Sequence, residues 1–454
     1  MSSRPSERFL TWPKALGFAL YGLFALTFSL FQVKGDALVY FNLLRRFFGE
    51  EPDFAYAYQF GSAVWNAPFF LVGKSLGIVF GFQPRTFHVS FEEISITFAA
   101  NAAFVLTLYL GWRILRELEL PRGPGVLFLT AFGTPLFFYV VFDPAGKHAV
   151  DTLVLTAATY AFLRCDSGNA TRAAVALGAL GGWSLNIRWA NGAFFLALAV
   201  ALLLRGRARL VGIATVSSVI VASVILALPA TRGIEYFFPI ISPPANASLE
   251  RVAAPVDGLL FQVTPLDTSD PGFDPTIPAR MLFSLHRGLF LWTPLTALAA
   301  IGFALAVRQA RRRDASYPFL LGLLAASLAL LCIHVVWPRW DGGFSYSQRF
   351  LMGLFPLYLI GVAELIRRAQ LVVYPLLVAT VAFALMVAFV HDVGYDGVSE
   401  RDGIGRILEV AASDRDNLRR KIRTDAEDRW KYLWGLLHGR DTKCLNEPLG
   451  SPDC

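Results

Sequence analysis

Runs of about twenty residues nearly free of charge follow one another along this chain, and no other feature narrows its fold so far. Crossing a hydrocarbon core about 30 Å thick as a helix takes about 20 apolar residues. A soluble chain of 454 residues could bury a large core, but it would have no need of such runs in series. Charged residues make up 17% of the sequence, against about 25% in soluble domains. These features predict an all-α polytopic membrane protein. A net charge of +7 in a soluble chain would suggest nucleic acid. Here the arginines sit between apolar runs, where they act as topology signals. No basic patch interleaved with aromatics stands out, so the reading includes no nucleic-acid partner.

The first run, 12–33, is too long for the apolar core of a signal peptide and lacks a small-x-small cleavage site, so it reads as an uncleaved span. Further spans are expected at 91–112, 124–142, 148–163, 173–188, 190–204, 209–230, 286–307, 316–337, 348–366 and 371–391, which makes about 11. The basic clusters at Arg113, Arg116 and Arg122, at Arg164 and Arg172, at Arg205, Arg207 and Arg209, at Arg308 to Arg313, and at Arg367 and Arg368 then share the side of the N-terminus. The positive-inside rule makes that side cytoplasmic. Segment 61–82 is apolar enough to cross, but it carries Pro68 and Lys74, and counting it would reverse every later cluster. It is expected to lie at the outer interface. The transmembrane domain is placed at 1–391, with long outer loops at 34–90 and 231–285 and an amphipathic extracytoplasmic tail at 392–454. A disulfide between Cys444 and Cys454 in that tail is left open.

Ionisable residues at membrane depth are costly and often functional. They gather at the outer ends of the expected spans, at Lys34 and Asp36, Glu92 and Glu93, Asp143, Lys147, His148, Asp151, Arg188, His286, Arg287, Arg339, Asp341 and Arg349. The stretch "FDPAGKHAVD" puts two carboxylates and a Lys–His pair into one short turn. "HRGLFLWTP" and "WDGGFSYSQRF" set Arg287 and Arg349 near helix N-termini, which favour anions. Arginines so placed suit a phosphate. Asp36 suits a base or metal ligand, but by position alone it reads first as an N-cap for "ALVYFNLLRRFF". Asp143 and Asp151 read alternatively as turn and first-turn acids, His148 as a cap, Arg188 as a snorkelling cation, and Arg349 as a partner of Asp341. The spacing of the strong metal-binding motifs is absent, and a divalent metal is left open.

The pattern resembles the GT-C superfamily of membrane glycosyltransferases, with the protein O-mannosyltransferases and lipid A aminoarabinose transferases as the relevant relatives. Their plan sets an acidic residue at the start of a long first outer loop, interfacial helices after it, and a second acidic position after span three. Asp36 in "GDALVYF" stands at the first position, and Asp143 or Asp151 at the second. The resemblance runs over about residues 13–391, and Asp36 is followed by Ala37 where the nearest relatives carry an acidic pair. It implies inverting transfer from a polyprenyl-phosphate-linked sugar to a lipid, glycan or protein acceptor, at a bacterial inner membrane. Asp36, Asp143 and Asp151 are the implied catalytic acids, with Asp36 as base. Lys34, His148, Arg188, His286, Arg287 and Arg349 are the implied substrate-binding residues, and 61–82 one wall of a prenyl groove. A lipid or solute transporter is the other reading, and it calls for broken helices and charges at mid-span.

Overall fold

The computed structural model describes residues 11–28, 36–50, 60–80, 90–144, 146–228, 275–311, 316–336, 346–392, 404–413 and part of 419–430. Within these the chain is helical, with no strand among the described residues. In order come α1 (Trp12–Phe28), α2 (Asp36–Phe47), α3 (Gly61–Phe80), α4 (Phe91–Glu117), α5 (Pro124–Phe132), α6 (Pro135–Val141), α7 (His148–Arg164), α8 (Ala170–Leu185), α9 (Gly192–Leu204) and α10 (Ala208–Leu226). Then follow α11 (Ile277–Phe283), α12 (Leu289–Trp292), α13 (Leu295–Ala310), α14 (Tyr317–Cys332), α15 (Phe355–Asp392) and α16 (Ile404–Ser413). Five helices are long and apolar enough to cross a membrane, or six if the bent pair α5–α6 is one span. The chain is therefore an all-helical polytopic membrane protein; the expected count of about 11 goes beyond what the described helices establish. Residues 231–274 of the expected outer loop 231–285 lie outside the described residues, as do Lys34, Arg339, Asp341, Cys444 and Cys454, and the loop's end carries the short helix α11.

The basic residues collect at one end of the bundle. Lys14 of α1 and Arg116 of α4 both lie over the ring of Trp112. Arg164 at the end of α7 pairs with Glu117 at 3.0 Å, and Arg205 after α9 pairs with Asp166 at 2.8 Å. Arg367 and Arg368 of α15 both hold the buried Glu364 at 2.6 Å. The same end carries a cavity of about 320 Å³ between Glu117, Gln309, Ser316 and Arg367.

α4 and α7 run parallel from this basic end. Arg113 of α4 donates to the Tyr160 hydroxyl of α7 at 2.5 Å, and Glu117 meets Arg164 one turn on. α4 has 27 residues and α7 has 17, so α4 stands well above α7 at the opposite end. That upper part is covered by α3. Trp65 Nε1 donates to the Ala99 carbonyl at 2.9 Å, Gly73 abuts the backbone of Phe91 and Glu92, and Phe80 stacks on Phe91 at 5.7 Å. α3 thus runs antiparallel to the first turns of α4, extends past its start, and does not reach the basic end. Ser90 caps α4 in a reciprocal capping box with Glu93. That bond uses the Glu93 carboxylate locally.

Three expected spans are broken. Span 124–142 bends by 78° between α5 and α6, where Gly133 and Thr134 precede Pro135. Proline has no N–H to donate and restricts the residue before it to extended backbone, as Thr134 shows with ψ 165°. Span 286–307 breaks in the same way before Pro294, into α12 and α13. Spans 348–366 and 371–391 become a 3-10 turn, Arg349–Leu354, followed by α15. α15 reverses at Ala369, whose φ of −146° and ψ of 55° are not helical. Arg368 therefore lies at the basic end, whereas His391 returns to the rings of Tyr346 and Trp292.

Candidate functional site

At the end away from the arginine clusters, α7, the α8–α9 turn and the 3-10 turn Arg349–Leu354 meet. α7 begins at His148, directly after Lys147, which makes no side-chain cap. His148 and Asp151 then project from the first turn, and both are buried. Arg188 enters from the extended residue between α8 and α9 and is also buried. Its guanidinium lies 3.6 Å from Asp151 Oδ2, 3.3 Å from His148 Nδ1 and 3.3 Å from the Phe350 carbonyl. Arginine can only donate, so His148 Nδ1 is the acceptor and its ring proton sits on Nε2.

Asp151 is committed on both oxygens. Oδ2 faces Arg188, and Oδ1 accepts from Asn191 Nδ2 at 2.5 Å. Asn191 also donates to Ser184 Oγ at 2.9 Å, which joins α8 and α9 to the carboxylate. The contact with Asp151 fixes the amide, since a flipped Asn191 would turn its oxygen toward a carboxylate. A buried pair of this kind holds its geometry tightly, because breaking it leaves a charge without a counter-charge.

The opposite wall is the segment 346–350. Tyr139 packs tilted against His148 with ring centres 4.5 Å apart and donates to the Tyr346 carbonyl at 3.0 Å. Arg188 holds the Phe350 carbonyl, and the guanidinium groups of Arg188 and Arg349 both lie near the Phe350 ring, at 5.2 and 5.6 Å. Arg349 directly precedes Phe350, whose carbonyl and ring Arg188 engages, so it borders the same cluster. Four groups expected from the sequence thus come together in this structure, namely His148, Asp151, Arg188 and Arg349.

The remaining expected residues stand at varying distances. Asp143 lies half-buried in the turn before His148. Arg287 is fully buried over the ring of Trp292, which packs edge-on against Tyr346, so it borders the cluster through two rings. His286 is half-buried beside it. Asp36 opens α2, one turn before the buried Tyr40, whose ring receives the Lys147 ammonium at 5.7 Å. The side chain of Asp36 lies outside the described residues. α2 is tied to α3 through Glu50, which pairs with Arg45 and Lys74, each at 2.9 Å. Burial alone would raise the Glu50 carboxyl; the two cations outweigh it and hold it below its usual range. His334 packs against Phe350, and its Nδ1 bonds the Leu330 carbonyl at 2.8 Å. Among the described residues no three His, Cys, Asp or Glu are grouped to hold a metal ion. Tyr139, Asn191, Ser347 and Gln348 were not expected from the sequence.

Two solved structures are similar in outline. One is the Archaeoglobus fulgidus oligosaccharyltransferase in its apo form, with a TM-score of 0.46 and 13% identity, covering 98% of this chain and 62% of that one. The other is the archaeal oligosaccharyltransferase AglB from Archaeoglobus fulgidus, in complex with an inhibitory peptide and a dolichol-phosphate. There the TM-score is 0.44 and the identity 13%, covering 92% of this chain and 56% of that one. The chain thus spans about three fifths of the length of these proteins. No protein-family model matches the sequence, and neither does any curated protein.

Proposed function

We propose that this chain is a GT-C-like glycosyltransferase that moves a sugar from a polyprenyl-phosphate donor to an acceptor hydroxyl at the face opposite its arginine clusters. The observation that carries the reading is the buried set of His148, Asp151 and Arg188, with the half-buried Arg349 beside it, at the end of the bundle away from the basic loops. Cations held at membrane depth, with a carboxylate fixing one of them, suit a phosphate on a lipid. In the transfer the acceptor oxygen forms a bond to the sugar C1 as the bond from C1 to the phosphate oxygen breaks. The electron pair of that bond stays on the phosphate, where Arg349 and Arg188 meet the growing charge. The acceptor proton passes to a carboxylate. Asp151 is bound on both oxygens and acts by orienting Arg188, so the base falls to Asp36 or Asp143. Attack from the side opposite the phosphate inverts C1.

Asp36→Asn and Asp143→Asn in the purified protein separate these two. The variant of the base is expected to lose at least about 100-fold in transfer rate, the usual scale of general-base catalysis, while the other stays within about tenfold. Full rates in both would remove the base assignment.

The 78° break between α5 and α6 favours a second reading, a transporter or flippase, since transporters build sites at broken helices. Movement of labelled prenyl-phosphate sugar across vesicles holding the protein, with no glycosylated product, would decide for it.

A further inference from the structure

Two residues in the middle of the tethered segment 346–350 are polar and buried, and protein groups leave them unmet. Gln348 is 0% exposed, and neither its Oε1 nor its Nε2 makes a hydrogen bond. The Ser347 hydroxyl, equally buried, makes none either. Ser347 also has a φ of 50°, in the left-handed region that non-glycine residues seldom adopt. Buried amides are almost always hydrogen-bonded, and one left open at both ends needs a reason. The framework keeps these groups in place. Tyr139 holds the carbonyl on one side of them and Arg188 the carbonyl on the other, so neither residue reaches solvent without breaking a tether. The next residue along the chain is Arg349. Arg188 Nε and Asn191 Oδ1 are likewise without a hydrogen bond.

We propose that Ser347 and Gln348 read the hydroxyls of the donor's sugar and so set which sugar the protein accepts. This rests on the transferase reading. In a prenyl-phosphate sugar the ring joins the phosphate through a single oxygen. Residues next to a phosphate-holding arginine therefore stand where the first hydroxyls of the ring would lie. An amide offers both a donor and an acceptor, and a serine hydroxyl does the same, which matches groups that themselves give and take. Their neutrality points to a hydroxyl-bearing ring and not to a second charge. A site built to hydrogen-bond a hydroxyl discriminates strongly against ligands that lack it, because its own polar groups are then left unpaired.

The test uses the full-length protein in lipid nanodiscs. Its probes are polyprenyl phosphate alone and the same lipid carrying mannose, glucose or arabinose. The wild type is expected to bind at least one glycosylated lipid about tenfold or more tighter than the bare phosphate, a difference of about 1.4 kcal/mol. Gln348→Met keeps the length and removes the amide. It is expected to shrink that preference to about threefold or less while the ligand-free protein melts no lower than wild type, since an unmet buried amide is gone. Ser347→Gly removes the hydroxyl and relieves the backbone, and is expected to act in the same direction. A wild-type preference retained in Gln348→Met overturns the proposal, as does a Gln348→Met protein that melts well below wild type, which would make the amide a packing group. A wild type that binds bare and glycosylated lipid alike overturns the hydroxyl reading and leaves the transferase reading standing. A wild type that binds none of the four lipids overturns both.

Discussion

Asp151 gives one oxygen to Arg188 and the other to Asn191, and that limits what it can do. A carboxylate held from both sides serves as an anchor for the groups that hold it. Asp151→Ala leaves the buried Arg188 without its counter-charge, and a loss of about 3–5 kcal/mol is expected. Asp151→Ala combined with Arg188→Met should recover most of that loss, because replacing a whole buried pair with apolar groups is often neutral. Thermal unfolding in detergent checks both; equal melting of the single and double variants would mean that the guanidinium reaches water after all. The sequence singled out Asp151 and Arg188 separately, since a charge at a span end is conspicuous. It could not pair them, because they lie on different helices and nothing local links them. Asn191, Tyr139 and Gln348 passed unnoticed for another reason. A neutral polar residue acquires meaning only once its burial is known, and burial is set by tertiary packing.

At the scale of elements, the positions of the helices were legible from apolar runs, while their breaks and crossings were not. Pro135 and Pro294 were visible in the sequence, but the runs around them are apolar enough to be read straight through. The crossing of α13 and α15 depends on glycines that look like any others in an apolar run. A Cβ on Gly361 would run into the Ala299 carbonyl, and one on Gly302 into the Gly361 carbonyl. Backbone cannot yield as a side-chain tip does. Gly361→Ala is therefore expected to destabilise by about 1–3 kcal/mol, as overpacking does. Gly212→Ala on α10, where nothing lies within 4 Å, should be neutral or slightly stabilising. Melting temperatures of the two variants in the same detergent give the comparison, and equal losses would mean that helix propensity, not the crossing, is being measured.

For the whole molecule, the gathering of basic residues at one end and of the candidate site at the other matches the arginine pattern read from the sequence. If the basic end is cytoplasmic, Arg46→Cys on α2 should react with a membrane-impermeant maleimide in intact cells, in a chain whose four native cysteines are replaced by serine. Arg207→Cys, at the basic end, should react only after permeabilisation. Both positions are exposed, so silence at either is not a matter of burial. The reverse pattern would turn the site to the cytoplasm. What the sequence lacked at this scale was depth. It gave each run a length but no common floor from which to measure.

That floor is the basic end, where α4 and α7 stand level. The 27 residues of α4 rise past the 17 of α7 by a step of about 15 Å, at 1.5 Å per residue. Residues 94–112 of α4 carry no acidic or basic side chain, so if α4 stands upright in a bilayer the hydrocarbon boundary falls near Ile94. His148 then lies level with about Asn101, roughly 10 Å beneath that boundary. On that footing the site sits below the tops of α3 and α4, which stand beside it as a high bank. A prenyl phosphate bound by Arg349 would ride below the phosphates of its neighbours, its chain bowed sideways under theirs. Molecules that dissolve in the leaflet would meet a site at that depth by lateral diffusion, without first leaving the bilayer.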